Sequence, residues 1–483
     1  MIRKTIHILL LAFFIVGKVA GHSGNPQYHV IIDTDGGVDD MRSVSMFLSM
    51  NDIRVLSITC SQGNLLPDSV FFKVRSLLSA FHHEGIRVGI GDETGQDLPY
   101  WSDFVQDVPW GRGLNESFHV KTERATPLLN SVMNSYREKV TLIALGSLKT
   151  YADWFRSDPE VIEKVDRILW FNTPVAEEGF NFKASPESYN YIRQSGVELT
   201  VVSDPGNQFT IDETYMHAIR KADSHYARQI EYLHTLPCVE AQRQQRPFQL
   251  WDDIVPLYLA APVLFDFYKS EGVTIASLNP GIPASFVYEM VGTLLESATT
   301  ANNRVLKTFP VDSTLYKPEY AKILHSTLKK YGLIEWKAIS LTNEIHGHTG
   351  IYSIMGAKMG VRAMEFFNVG VNNMTVTTFA GNEPPLSCFN DGLQISTGAT
   401  IGQGLITVSD TVLSIPTTVF EFNSKKVKIS LKPEIADQMQ EEIAYGVQTY
   451  GLLTDEYWLY IKDLAVTYWE KYNRFEIFNY VLL

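Results

Sequence analysis

Short apolar runs rich in Val, Ile and Leu alternate with helical stretches along the first part of the chain. Six runs have the near-continuous hydrophobicity of strands that are buried on both faces: 29–35, 54–61, 86–91, 140–145, 167–173 and 197–204. Helical patterns such as 68–81 and 127–137 lie between them. Parallel strands need crossover connections of this kind, because the chain must return to the same end of the sheet. The alternation predicts an α/β fold with a mostly parallel sheet covered by helices.

The charge balance restricts the class of partner. The 483 residues include 41 Lys and Arg against 54 Asp and Glu, which gives a formal net charge of −13. This charge argues against a nucleic acid or an anionic membrane surface as the main partner. Three widely spaced cysteines are too few for a disulfide framework. The oligomeric state stays open at this stage, with a homo-oligomer as one alternative.

The N-terminus has the order of regions that is typical of a secretory signal. Arg3 and Lys4 form a basic start, an apolar run covers 6–16, and small residues follow at 20–23. The run is short for a bilayer span, so we expect no stable membrane insertion. We predict that 1–23 is a signal peptide and that the protein is exported, to the periplasm or the medium. The alternative is a buried N-terminal element.

Four carboxylates lie within eight residues at the end of the first predicted strand. They are Asp33, Asp35, Asp39 and Asp40, with a Gly-Gly pair at the turn between them. Acids packed so closely repel each other unless a cation lies among them, and a set of oxygen ligands suits a hard cation such as Ca²⁺. The alternative is an ordinary capped and solvated turn, but capping a helix needs one acid rather than four.

This segment resembles the signature Asp-x-Asp-Pro-Gly-x-Asp-Asp of the inosine–uridine-preferring nucleoside hydrolases, with Gly36 in place of the Pro. The resemblance extends over about 28–325. Four later segments match the family in order, and they contain Asn64, Leu145, Asn181 and Asp252. It implies an N-glycosyl hydrolase that cleaves ribonucleosides to free base and ribose with the help of Ca²⁺. A small-molecule nucleoside, or a related ribosylated compound, is then the expected partner.

The resemblance also implies a role for each matching residue. Asp35 would be a calcium ligand and the general base. Asp40, Asp252 and the Leu145 carbonyl would complete the calcium site. The residues expected to bind the substrate are Asp39, Asn64, Asn181 and Trp251.

Two positions depart from the family pattern. Trp251 stands where the family commonly has a His that helps the base to leave, and Gly179 stands where it commonly has a Glu that contacts ribose. Trp can stack on a base but cannot act as an acid. Two alternatives therefore accompany the hydrolase hypothesis: a non-catalytic nucleoside- or ribose-binding protein, and a two-domain enzyme that acts on a larger ribosylated substrate.

The character of the sequence changes beyond about residue 325, and we predict domains at 26–330 and 338–483. His346 and His348 would point the same way on an extended segment, and the fold could bring Cys388 beside them. The region resembles a family that is named for one of the subunits of formylmethanofuran dehydrogenase, although Thr349 and Ala399 replace two of its cysteines. The resemblance implies a metal-binding α+β domain, and two His and a Cys would suit Zn²⁺. The alternative is a structural His pair that only forms hydrogen bonds.

Overall fold

The computed structural model describes residues 28–111, 113, 122–203, 206, 208–270, 272–296 and 305–483. The predicted signal peptide at 1–23 lies outside the described residues.

The first unit is built on a nine-stranded sheet with the order β4-β3-β2-β1-β5-β6-β7-β9-β8. All neighbouring strands are parallel except β8, which pairs antiparallel with β9 at one edge. All six strands expected from the sequence are present, and the predicted α/β class is confirmed. The strands are β1 Tyr28–Thr34, β2 Ile53–Cys60, β3 Arg87–Ile90, β4 Glu123–Arg124, β5 Val140–Ala144, β6 Val165–Phe171, β7 Leu199–Ser203, β8 Phe265–Ser270 and β9 Val273–Leu278.

Helices cover both faces of this sheet. Val30 and Ile32 of β1 belong to one buried core, whereas Ile31 between them belongs to the core on the opposite face. This alternation explains why the strand is apolar throughout. The helices are α1 Val38–Ser49, α2 Pro67–Ala80, α3 Ser102–Asp107, α4 Ala125–Ser135, α5 Lys149–Ser157, α6 Phe180–Ala184, α7 Pro186–Gln194, α8 Glu213–Lys221, α9 His225–His234, α10 Pro237–Gln245, α11 Ile254–Ala260 and α12 Ala284–Glu296.

Strand β1 lies at the point where the winding of the sheet reverses. From β1 the chain proceeds through β2 and β3 to β4, and then returns to place β5 on the other side of β1. Ligands of open α/β sheets bind at such switch points, beyond the carboxyl ends of the strands. The residues that follow β1 and β5 are therefore the first place to look for a site.

The second unit is an α+β domain, as predicted. Its five-stranded sheet has the order β11-β10-β12-β13-β14. The strands are β10 Thr375–Thr378, β11 Ile406–Val408, β12 Thr417–Phe422, β13 Lys425–Leu431 and β14 Phe478–Leu482. The helices are α13 Pro318–His346, α14 Ile351–Phe367, α15 Phe389–Thr397, α16 Pro433–Tyr450 and α17 Asp455–Lys471.

Helix α13 joins the second core along most of its length. Ile323, Leu324 and Trp336 are all buried there, on both sides of a kink at Gly332. The first two of these residues fall within the predicted first domain, yet they pack in the second. Since Phe309 also packs in the second core, we propose a boundary between α12 and Phe309.

The two units share a buried polar interface. Arg362 of α14 donates to Glu84 at 2.9 Å, and both side chains are almost completely buried. Near them the Gly85 N–H donates to the Phe366 carbonyl at 2.7 Å. Asn368, which caps the end of α14, donates through Nδ2 to the carbonyl of Leu48 at the end of α1 (3.1 Å). The second domain is thus hydrogen-bonded to the C-terminal end of α1, the helix that follows β1.

None of the helices in the described residues combines the length and the apolar character that crossing a bilayer requires.

Candidate active site

The turn after β1 places a set of backbone donors around one carboxylate. Gly36 has a φ of +90°, a conformation that suits glycine, and Gly37 caps helix α1. Asp40, in the first turn of α1, accepts hydrogen bonds from the Asp35 and Gly37 N–H groups, both at 3.1 Å. It also accepts one from the Thr34 hydroxyl at 2.5 Å. These contacts fix the orientation of Asp40.

The acids of this turn meet an acid from a distant part of the chain. Ligand oxygens of Asp39, Asp40 and Asp252 lie within 4.8 Å of one another. Asp35 accepts a hydrogen bond from Asn64 Nδ2 at 2.7 Å through Oδ1. In the part of the chain that the structure describes, the buried Asp35 Oδ2 and Asp252 Oδ1 have no hydrogen-bond partner. One of these oxygens belongs to the cluster itself and the other to a neighbouring acid, and unpartnered buried carboxylate oxygens are expected where a cation binds.

The electrostatics of this group point the same way. Burial, and after it the charge of Asp40, raises the pKa of Asp35 and Asp252 well above the usual range. The same two causes raise the pKa of Asp39 to about 7, and burial raises that of Asp33 to about 7. Ionised carboxylates are unfavourable here unless positive charge is added. A hard cation held by these oxygens would supply that charge, so the donor set fits Ca²⁺.

Two amides organise the floor of the site. Asn181 Nδ2 donates to the Leu145 carbonyl at 2.7 Å and to the Phe171 carbonyl at 3.0 Å. The Leu145 carbonyl, expected as a calcium ligand, is thus engaged by Asn181 in the structure. Asn64 is held between Asp35 and Trp101, whose Nε1 donates to Asn64 Oδ1 at 2.7 Å. Both asparagines face the cavity with a defined orientation.

The acids open into a cavity of about 310 Å³. Seven of the eight residues predicted for the first-domain site line it: Asp39, Asp40, Asn64, Leu145, Asn181, Trp251 and Asp252. Asp35, the predicted general base, is not among the lining residues and contacts them through the hydrogen bond that it accepts from Asn64. The other wall of the cavity is aromatic, from Tyr100, Trp101, Phe104, Phe171, Phe180, Phe248 and Trp251. The Arg246 guanidinium lies 5.6 Å from the Trp251 ring centroid. The cavity therefore has carboxylates on one side and, on the other, aromatic rings against which a planar ring can stack.

Glycines make room for the polar floor. A Cβ on Gly63 would lie 2.0 Å from Asp35 Oδ2, and one on Gly179 would lie 1.6 Å from Asn172 Oδ1. Asn172 lines the cavity and occupies the space that a side chain at 179 would need. A Glu at position 179, as the family commonly has, could therefore not be accommodated without a shift of Asn172.

One residue of this site, Arg42, was not predicted from the sequence. Arg42 lies two residues beyond Asp40 on α1, lines the cavity and forms a buried ion pair with Asp253. The signal was present as a cation in the same helical turn as the acids, but its partner could not be identified without the fold. Four aromatic residues lie close together in the sequence before, within and just after α3: Tyr100, Trp101 and Phe104 line the cavity, whereas Trp110 is buried in the core.

The three ligands predicted in the second domain are not gathered into one close group in the described residues. Within the described ranges, Asp39, Asp40 and Asp252 are the one group of three His, Cys, Asp or Glu residues with ligand atoms this close, so His346, His348 and Cys388 do not form such a group. The expected extended segment is also absent, because His346 ends α13 and Gly347 turns the chain with a φ of +80°. The two rings still lie 4.2 Å apart. His346 Nδ1 bonds Asp391 Oδ2 at 2.7 Å, and among the described residues the buried His346 Nε2 has no hydrogen-bond partner. A carboxylate partner at one ring nitrogen is compatible with a metal at the other, so the Zn²⁺ site at His346, His348 and Cys388 stays a prediction.

Comparison with known proteins agrees with the two resemblances. The family described as inosine-uridine preferring nucleoside hydrolase matches residues 30–314, and the family described as FmdE, molybdenum formylmethanofuran dehydrogenase operon, matches 345–458. The pyrimidine-specific ribonucleoside hydrolase RihA of Shewanella oneidensis is 26% identical over 257 residues, which cover 49% of this chain and 79% of that protein. RihA of Klebsiella pneumoniae is 27% identical over 217 residues, covering 42% and 66%.

Among solved structures, a plant nucleoside hydrolase aligns with a TM-score of 0.45 at 19% identity, over 56% of this chain and 99% of that one. A purine-preferring ribonucleoside hydrolase from Gardnerella vaginalis aligns with a TM-score of 0.46 at 14% identity, over the same shares. The family match at 30–314 spans more than half of the chain. On that match, the chain belongs to the inosine-uridine preferring nucleoside hydrolase family.

Proposed function

We propose that this protein is an exported, calcium-dependent hydrolase that cleaves the N-glycosidic bond of ribonucleosides to free base and ribose. The observation that carries the proposal is the buried, unpartnered Oδ2 of Asp35 among the described residues, beside the clustered acids and at the switch point of the sheet. Membership of the family supports the reaction class.

The residues divide the chemistry between them. Asp35, Asp40 and Asp252 would hold the metal, and the Leu145 carbonyl, which accepts from Asn181 through one lone pair, would offer the other. When bound, the metal lowers the pKa of a water molecule. Asp35 would take the proton of that water as general base. Asp39 would accept hydrogen bonds from the ribose hydroxyls, and Asn64 and Asn181 could donate to them or accept from them. These contacts would orient the sugar as it gains oxocarbenium character.

The base would lie against the aromatic wall. Trp251 offers a face for stacking, and it cannot supply a proton as an acid would. Trp101 is oriented by its bond to Asn64 and faces the same cavity. The substrates we expect are therefore nucleosides with an aromatic base. The names of the relatives point to ribonucleosides, and we leave the choice of base to experiment.

The deciding experiment measures free sugar from a panel of nucleosides, with added Ca²⁺ and with a chelator. We expect release with Ca²⁺, loss with chelator, and no release by Asp35→Ala, because that variant lacks both the base and a ligand. Asp103→Ala, which removes an exposed acid near the mouth of the cavity, should keep the parent rate. Binding of nucleosides without sugar release would establish the alternative, a nucleoside-binding protein.

Export is a separate part of the proposal. It rests on the basic start, the apolar run at 6–16 and the small residues at 20–23. N-terminal sequencing of the protein recovered from the native host should begin near residues 21–24. A mature chain that begins at Met1 would contradict it.

A further inference from the structure

A buried ion pair lies directly behind the acids. Arg42 Nε donates to Asp253 Oδ1 and Arg42 Nη2 donates to Asp253 Oδ2, both at 2.8 Å. The exposed fractions of the two side chains are 1% and 0%. Nη2 also donates to the Gln249 carbonyl at 3.0 Å. The fork geometry fixes the carboxylate in distance and in plane, which a single contact would not do.

The position of the pair in the chain matters more than its strength. Arg42 follows Asp39 and Asp40 on helix α1, and Asp253 follows Asp252 directly. The three clustered acids therefore come from two segments more than 200 residues apart, and Arg42 bonds one segment to the other. Since the carboxylates repel each other, some contact must hold the segments together at the spacing that a cation needs.

Stability alone is a weak explanation for such a pair. Desolvation of two buried charges offsets much of their attraction, and apolar replacements are often as stable. A pair that fixes the spacing of neighbouring ligands has a further effect, because partners of this kind commonly change metal affinity by about 10- to 100-fold.

We propose that the Arg42–Asp253 pair is a positioning device, which holds Asp252 against Asp39 and Asp40 at the spacing required for a divalent cation. The inference rests on the proposed function, since it assigns the acids to a cation. Asp253 is not among the residues that line the cavity. Arg42 does line it, but the role proposed here is exerted through its bonds to Asp253 and Gln249 rather than through contact with the substrate. Arg42 acts on the helix that carries two of the acids, and Asp253 acts on the turn that carries the third.

The test is a calcium titration of the full chain by calorimetry, with Ca²⁺ alone. Arg42→Lys keeps the charge but loses the fork, and Asp253→Asn keeps the shape but loses the charge. We expect each to weaken calcium binding by about tenfold or more, and to lower kcat in a way that excess Ca²⁺ partly restores. Arg362→Lys makes the same change in another buried arginine, which donates to Glu84 at the domain interface through Nη2, and should bind calcium like the parent.

A double-mutant cycle separates positioning from general damage. If Arg42 and Asp253 act as one unit, the losses of calcium affinity in the two single variants should not add. Should a single variant fail to fold, the neutral pair Arg42→Gln/Asp253→Asn leaves no unpaired buried charge, and it should show the same loss. Folded variants that bind calcium like the parent would overturn the inference. A parent that binds no calcium would instead overturn the proposed function.

Discussion

The buried His83 at the domain interface should make the protein lose stability as the pH falls. Its Nδ1 lies 2.6 Å from the Glu365 carbonyl, and its Nε2 lies 2.6 Å from the Tyr226 hydroxyl. A carbonyl can only accept, so Nδ1 carries the hydrogen and the neutral ring accepts from Tyr226 through Nε2. Burial lowers the pKa of His83 to about 4.

The direction in which stability changes with pH follows from the pKa of His83 in the unfolded and in the folded protein. The unfolded chain has the ordinary His pKa of 6.5, so it binds a proton before the folded protein does. Stability from this group is complete above that value and is lost as the pH falls towards 4. From about pH 7.5 to about pH 5, the loss due to His83 alone is roughly 2 kcal/mol. Burial also lowers the pKa of the neighbouring His82 to about 4, which acts in the same direction.

The assay is urea unfolding followed by tryptophan fluorescence at both pH values, for the parent and for His83→Gln. Gln cannot titrate but can still donate and accept. The parent should lose about 2 kcal/mol more than the variant between the two conditions. His217→Gln, at an exposed position on α8, should behave like the parent. If His83→Gln shows the parent's full pH dependence, the tautomer and the linkage argument are wrong.

Three further predictions concern the candidate active site. Trp251→Ala should lower kcat/KM about tenfold for nucleosides but less for nitrophenyl riboside, which needs little help at the leaving group; equal losses would exclude a role at the base. Gly63→Ala would place a Cβ 2.0 Å from Asp35 Oδ2, so sugar release should fall by about 100-fold, whereas Gly402→Ala, with no close neighbours, should match the parent. Asp252→Ala should abolish both activity and the rise in Tm that Ca²⁺ produces, and a preserved rise would remove this residue from the metal site.

The first domain was predictable because its signals are local. Strands such as β1 and β5 are apolar throughout, and the acids follow β1 directly. Three strands of this sheet escaped prediction. Strand β8 is an edge strand with mostly exposed residues, so it lacks the hydrophobicity of its neighbours, and β4 has only two residues. Strand β9 is largely buried and was missed although it is apolar. The contacts that complete the site, such as Arg42 with Asp253, join distant segments and could not be read from either one.

Two residues of the second domain stand where the related family has cysteines, and both make contacts within the domain. Thr349, which stands where the related family has a Cys, forms a hydrogen bond with the Tyr320 hydroxyl. Ala399, at the other replaced Cys, is completely buried in the second core. Both positions now serve packing and hydrogen bonding.

The bond from Asn368 to the Leu48 carbonyl has a consequence for how the two domains can change over time. Helix α1 begins with Asp39 and Asp40 and ends against the second domain. A helix transmits a displacement of one end to the other almost as a rod. Loss or exchange of the second domain would therefore disturb the candidate cation site through helix α1, because Asn368 bonds the end of that helix far from the acids. The two domains would therefore have to stay compatible with each other when either one is changed.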